Sequence, residues 1–174
     1  GTPVKLIWSR EEDMLHGRYH PITQCRLVAG LDKDNNIRAL HMRISGQSIV
    51  AGIFPQNIKD GKDPAVFQGL NPPGPEASIG YSFPNLLIDH AMRNPPVPPG
   101  FWRGVNLNQN AVYLECFIDE LAHAANADPL EFRLKNLIVD GEETASGERF
   151  EHVRVHETLR AAAEAAGYHQ PKGS

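Results

Sequence analysis

The residues best suited to chemistry lie together between positions 101 and 110. Phe101-Trp102-Arg103-Gly104-Val105 follows Asn94-Pro95-Pro96-Val97-Pro98-Pro99-Gly100 and runs into Asn106, Asn108, Gln109 and Asn110. The prolines lock their own φ and remove backbone donors, so this arm must be extended and cannot sit in a central strand. It delivers an aromatic ring, a guanidinium and a glycine to one place. Glycine tolerates positive φ and lets backbone approach a ligand closely, and the first amides of a helix favour anions. Together these features suit a ligand carrying phosphate or another oxo-anion. The competing reading is a buried Trp and a structural Arg in a loop corner.

Two of the usual routes to an enzyme are closed. The sequence holds no Gly-x-Ser-x-Gly, no Walker loop and no G-x-G-x-x-G. His16 and His20 have the spacing of metal ligands on a helix, but Gly17 and Pro21 oppose a helix there and no third ligand keeps step, so no metal site is read. The two cysteines, Cys25 and Cys116, lack C-x-x-C spacing and make neither a zinc nor an iron–sulfur site by themselves. They read as small buried apolar residues, with a disulfide left open. A net charge of -4 argues against a nucleic-acid partner. No apolar run approaches the roughly 20 residues that span a bilayer, so no transmembrane segment is expected. The acidic runs Glu11-Glu12-Asp13 and Glu142-Glu143 read as solvated faces.

The elements that must position the 101–110 segment follow from periodicity and punctuation. Val4 to Trp8 reads as a short strand, and Ser9 with Glu12 has the form of a capping box opening a helical turn. Residues 22–31 and Ile37 to Ile44 alternate around Asp32-Lys33-Asp34-Asn35-Asn36, which predicts an antiparallel hairpin. Between Gln47 and Gly80 the pattern fades among prolines and glycines. Residues 50–100 therefore read as a Pro/Gly-rich irregular connection interrupted by a strand at Leu86-Leu87-Ile88. Within it Ile53-Phe54 and Val66-Phe67 are candidate anchors onto a partner surface, and 50–80 is expected to be its most mobile part.

A helix is predicted from about Gln109 to Ala125, with Val112, Cys116, Phe117 and Leu121 on its apolar face and Leu114 and Ile118 flanking. Asp128-Pro129-Leu130-Glu131 marks the start of another, carrying Phe132, Leu134, Leu137 and Ile138. A last helix runs from about Val155 to Ala166, with Leu159, Ala162, Ala163 and Ala166 on one side, and ends near Gly167. The fold class is α+β: a mixed or antiparallel sheet with a hairpin in the N-terminal half, packed by C-terminal helices, in a single domain over 1–174. The chain opens on Gly1 without a starting Met and enters an apolar run at once. Its amino terminus is therefore expected to be a cut.

Several segments in order resemble one family. Pro3-Val4-Lys5-Leu6-Ile7-Trp8-Ser9-Arg10-Glu11-Glu12-Asp13-Met14 and Tyr19-His20-Pro21 are similar to the opening of the cofactor domain in molybdenum hydroxylase large subunits. Gly46-Gln47-Ser48-Ile49 and Tyr81-Ser82-Phe83-Pro84-Asn85 follow in the expected order. Phe101-Trp102-Arg103-Gly104-Val105 with Gln109 resembles that family's "FRGFGGPQ" loop, and Phe117-Ile118-Asp119-Glu120-Leu121-Ala122 with Asp128-Pro129-Leu130-Glu131-Phe132-Arg133 matches the signature that follows it. The family is that of xanthine dehydrogenase and aldehyde oxidase, and the likeness points to its isoquinoline 1-oxidoreductase branch.

The resemblance implies a molybdopterin-binding domain, part of a large (beta) subunit that binds molybdopterin as its cytosine dinucleotide. It also implies a small partner subunit with 2Fe-2S clusters and oxidation of an aldehyde or N-heterocycle with oxygen from water. Trp102, Arg103, Gly104 and Gln109 would then adjoin the cofactor, and Val105 the substrate pocket. Val105 stands where xanthine oxidases carry a second Phe, and Asn106-Leu107-Asn108 replaces Gly-Gly-Pro. The expected substrate is accordingly an aldehyde or isoquinoline-like heterocycle rather than xanthine. By the same resemblance a glycine-rich loop should precede residue 1 and the general-base glutamate should lie beyond residue 174. The chain would then be an internal fragment, inactive alone, with the rest of the large subunit as its first partner. The alternative is a non-catalytic cofactor- or partner-binding module derived from the same domain.

Overall fold

A computed structural model describes residues 1–70, 80–81, 83–138, 141 and 154–170. The turn formers at 32–36 do what their types predict. The Asp32 carboxylate accepts from the backbone N–H groups of Asp34 and Asn36, and Asn35 takes a φ of 59°. Strands β1 (Thr23–Leu31) and β2 (Ile37–Gly46) thereby pair antiparallel from Thr23 opposite Gly46 to Leu31 opposite Ile37. Strand β3 (Leu86–Met92) joins β2 in parallel, giving a three-stranded mixed sheet of order β1-β2-β3. With helices following in the C-terminal half, this is the α+β arrangement expected.

The alternation of β2 decides its faces. Leu40, Met42 and Ile44 are buried on one side, while Arg43 is exposed on the other. Over the buried face pack Leu114, Ile118 and Ala122 of α3 (Leu107–Ala124) and Phe132 of α4 (Pro129–Asn136). Burying each of the larger of these side chains contributes roughly 1.5–3 kcal/mol. Asp128 caps α4 through the N–H groups of Leu130 and Glu131, with Pro129 at its first position. Arg133 ties α4 to α3, donating to Glu115 at 3.0 Å and Asp119 at 2.6 Å.

Several expectations need correction. Val4 to Trp8 is no strand: it has no pairing partner among the described residues, and Val4, Leu6 and Ile7 are exposed. The capping Ser9 does accept from the Glu12 N–H and opens α1 (Arg10–Leu15). The buried face of α3 is Asn110, Leu114, Ile118, Leu121 and Ala122, so Val112 and Cys116 point outward. Both cysteines are free; Cys25 packs half-buried against the core, but Cys116 is exposed rather than buried.

The fading pattern after Gln47 also conceals structure. It holds α2 (Ile49–Ile53) and 3-10 turns at Pro55–Asn57 and Pro64–Phe67, and Val66 and Leu70 sit in this chain's own core. Val66 is thus an internal anchor, while Phe54 remains exposed against Phe101, ring centres 6.3 Å apart. Residues 71–79 lie outside the described residues. Helix α5 (Val155–Ala165) half-buries Leu159 and Ala163 but exposes Ala162 and Ala166, and Gly167 follows at φ 61°. No helix among the described residues is long and apolar enough to cross a membrane.

Candidate functional site

The proline arm is held from two sides. Gln47, almost fully buried, accepts from the Ile22 N–H and donates to the Val97 carbonyl at 2.6 Å. Beside it Ser48 caps α2 by accepting from the Ala51 N–H, and its hydroxyl donates to the buried Asp63 carboxylate at 2.5 Å. Farther along, Tyr19 runs parallel to Pro99: its N–H donates to the Pro98 carbonyl and its own carbonyl accepts from Gly100. Gly100 must be glycine, because a Cβ there would lie 2.4 Å from the Cβ of Arg18. The segments Tyr19-His20-Pro21 and Gly46-Gln47-Ser48-Ile49, which carried no role in the sequence, therefore aim the arm.

At its end the chain turns sharply. The Val105 N–H donates to the Trp102 carbonyl at 2.8 Å, and Gly104 takes a φ of 81°, the conformation such a turn asks of its third residue. Val105 itself has a φ of 47°. A β-branched residue held there stores strain of order 1–3 kcal/mol. The peptide that follows is gripped at both ends. Its carbonyl, on Val105, lies 3.1 Å from Nε2 of His20, and its N–H, on Asn106, donates to Oε1 of Gln68 at 3.3 Å. Asn106 and Asn110, both buried, donate through their side chains to the carbonyls of Ala65, Val66 and Gln68. This polar seam fixes the start of α3 against the Pro64–Phe67 turn.

The predicted site residues divide by what surrounds them. Trp102 is 65% exposed, and the exposed Arg103 guanidinium has no partner among the described residues. The loop-corner alternative, with Trp buried and Arg structural, is therefore not formed. Gln109 donates to Oδ1 of Asn106 at 2.7 Å, while its own Oε1 is buried and accepts from no donor among the described residues. That orphan acceptor would be satisfied by an N–H donor.

Gly104 has the positive φ that glycine tolerates. The side chain of Asn108 stands beside it, with Oδ1 2.0 Å from where a Cβ would lie, so the missing side chain also makes room for Asn108. The helix start also offers fewer amides to an anion than expected: Asn106 and Leu107 donate to Gln68 and to the Gly104 carbonyl. The histidines four apart do not converge, His16 pairing with Glu12 at 3.4 Å while His20 meets Val105. No group of three His, Cys, Asp or Glu among the described residues could hold a metal.

Residues 1–137, which include the arm, the turn and every predicted site residue, match the molybdopterin cofactor-binding domain family. The chain belongs to that family. As a molybdopterin cofactor-binding domain it is 33% identical over 140 residues to the isoquinoline 1-oxidoreductase subunit beta of Brevundimonas diminuta, covering 79% of this chain and 17% of that protein. It is 30% identical over 171 residues to the nicotinate dehydrogenase large molybdopterin subunit of Eubacterium barkeri, covering 94% of this chain and 36% of the relative. The chain thus spans well under half the length of either relative. Among solved structures it is similar to quinoline 2-oxidoreductase from Pseudomonas putida 86, with a TM-score of 0.67 at 17% identity over 94% of this chain and 20% of that one. That likeness is one of fold. The relatives' names are those of oxidoreductases, so the family is an enzymatic one.

Proposed function

We propose that this molybdopterin-binding chain forms part of the large subunit of a molybdenum hydroxylase, and that its Trp102–Val105 turn walls the reaction pocket. The substrate is an aldehyde or an N-heteroaromatic compound, in line with the isoquinoline and nicotinate named for its relatives. In the overall reaction a substrate C–H becomes C–OH with oxygen from water, releasing two electrons and two protons. The cofactor, when bound, takes up the electron pair, and 2Fe-2S clusters in a small partner subunit carry it away. The cytosine dinucleotide form of molybdopterin and that partner are part of the proposal.

The observation that carries the reading is an exposed Arg103 guanidinium, without a partner among the described residues, in the Trp102–Val105 turn, followed in the first turn of α3 by the orphan Gln109 acceptor. These donors and acceptors fit the group. Arg103 can donate to phosphate or oxo oxygens, and Gln109 Oε1 can accept from a pterin N–H. Trp102 and Val105 offer an apolar face to a flat or small substrate. Gly104 holds the turn, and with it the direction of its two neighbours. No residue of this chain is assigned as general base, so the chain alone would not turn over.

The test is the full-length large subunit assembled with its small partner, supplied with isoquinoline or an aldehyde in ¹⁸O-labelled water. The expected product carries the label in its new oxygen. Unlabelled product, or no oxidation of either substrate class by an enzyme with full molybdenum content, would remove the reading.

A further inference from the structure

The Val105–Asn106 peptide is clamped from two segments distant in sequence, and one clamp is a histidine to which no role has been given. His20 is half-buried beside the turn, and its Nε2 faces the Val105 carbonyl at 3.1 Å. Gln68 accepts from the N–H of the same peptide at 3.3 Å. These two contacts add to the hold on a segment whose Val105 sits at a φ of 47° that its own branched side chain disfavours. Weakening that hold would let Val105 leave this φ, which moves its side chain relative to the turn that carries Arg103.

We propose that His20 is a positioning residue for substrate selection: by donating from Nε2 to the Val105 carbonyl, it sets where the Val105 side chain stands in the pocket. The inference rests on the reading of the Trp102–Val105 turn as a pocket wall. Arg18, which donates to the Pro99 carbonyl at 3.3 Å, and Tyr19, which pairs with Pro99, place His20 by fixing its own strand of backbone against the arm. His20 thus reads the arm and the turn together, and a shift in one is passed to the other.

The experiment uses the assembled enzyme with three variants, His20→Ala, His20→Gln and Val105→Phe. Three quantities are read for each: molybdenum per subunit, hydrogen exchange of the peptide covering 102–110, and kcat/KM for an aliphatic aldehyde relative to isoquinoline. His20→Ala is expected to keep its molybdenum, to raise exchange in that peptide, and to shift the selectivity ratio roughly tenfold, mainly through KM. His20→Gln, which keeps a side-chain N–H donor, is expected to recover most of both effects. If Val105→Phe shifts the ratio and His20→Ala shifts neither ratio nor exchange, the pocket reading stands and the role of His20 is overturned. Loss of molybdenum in His20→Ala would overturn it too, since the residue would then hold the cofactor seat. If Val105→Phe leaves the ratio unchanged, Val105 does not face substrate and the pocket reading itself fails.

Discussion

The side-chain amide of Gln47 reaches the Val97 carbonyl at 2.6 Å, from a position where almost none of its surface is exposed. One buried glutamine thus joins the end of β2 to the arm that carries Trp102 and Arg103. Its carbonyl oxygen is occupied as well, by the Ile22 N–H. Gln47→Ala is predicted to leave both of these backbone groups unpaired and to lower stability by about 2–4 kcal/mol. Denaturant midpoints of the two proteins at neutral pH measure this; a midpoint unchanged by the substitution would mean that the arm is held elsewhere.

Asp128 makes the stability of α4 depend on pH. Its carboxyl is held below its ordinary value of 3.8, chiefly by the Glu131 backbone N–H; partial desolvation opposes this, and the Tyr168 hydroxyl adds to the lowering. A depressed folded-state value means that the capping stability is present above the ordinary carboxylate range and is lost as pH falls through the folded value. Asp128→Ala should cost about 1 kcal/mol at pH 7 and progressively less in acid. Asp128→Asn should keep most of the cap while flattening that dependence. Urea unfolding at pH 7 and below pH 3 separates the three proteins.

The thiols should react in a fixed order. Burial pushes the Cys25 thiol up to about 11, so little thiolate forms at pH 8, whereas Cys116 is exposed on α3. Brief alkylation followed by mass spectrometry is expected to label Cys116 first. Equal labelling would indicate that β1 opens readily.

The separate chain is predicted to bind no stoichiometric molybdenum and to oxidise no aldehyde, because it is proposed to supply one wall of a site completed by other parts of the subunit. Metal analysis of the purified chain checks this. Near-equimolar molybdenum would show that residues 1–174 form the whole cofactor seat.

What could be read from sequence was whatever follows a local rule. The hairpin is announced by Asp32 to Asn36, whose side chains bond their own turn, and α4 by Asp128 and Pro129. Val4 to Trp8 misled because β-propensity expresses pairing and burial, and this segment has neither. The face of α3 was misjudged for a related reason. Asn110 lies on its buried side, where its amide donates to carbonyls of a turn far away in sequence, so the polar residue that periodicity assigns to solvent is in the core. The same kind of contact hid Gln47, Ser48 and Asp63: a buried polar network replaces apolar alternation and looks like loop. At the candidate site the segment was legible by resemblance, but its clamps, His20 and Gln68, were not, since single hydrogen bonds to backbone leave no spacing to find.

The most direct measurement of the central claim is Arg103→Gln in the assembled full-length enzyme, with molybdenum content and turnover determined together. Arg103 is exposed and unpartnered among the described residues, so its loss should not unfold the domain, unlike Gly104→Val, which would drive a side chain into Asn108. A substitution that shortens the side chain and removes its charge deletes a charge-assisted contact, which is worth roughly 1.5–3 kcal/mol. The account predicts an unchanged melting temperature together with a fall of about tenfold or more in molybdenum retention or in kcat/KM. Normal molybdenum content with normal turnover would contradict it and reduce the Trp102–Val105 turn to a surface loop.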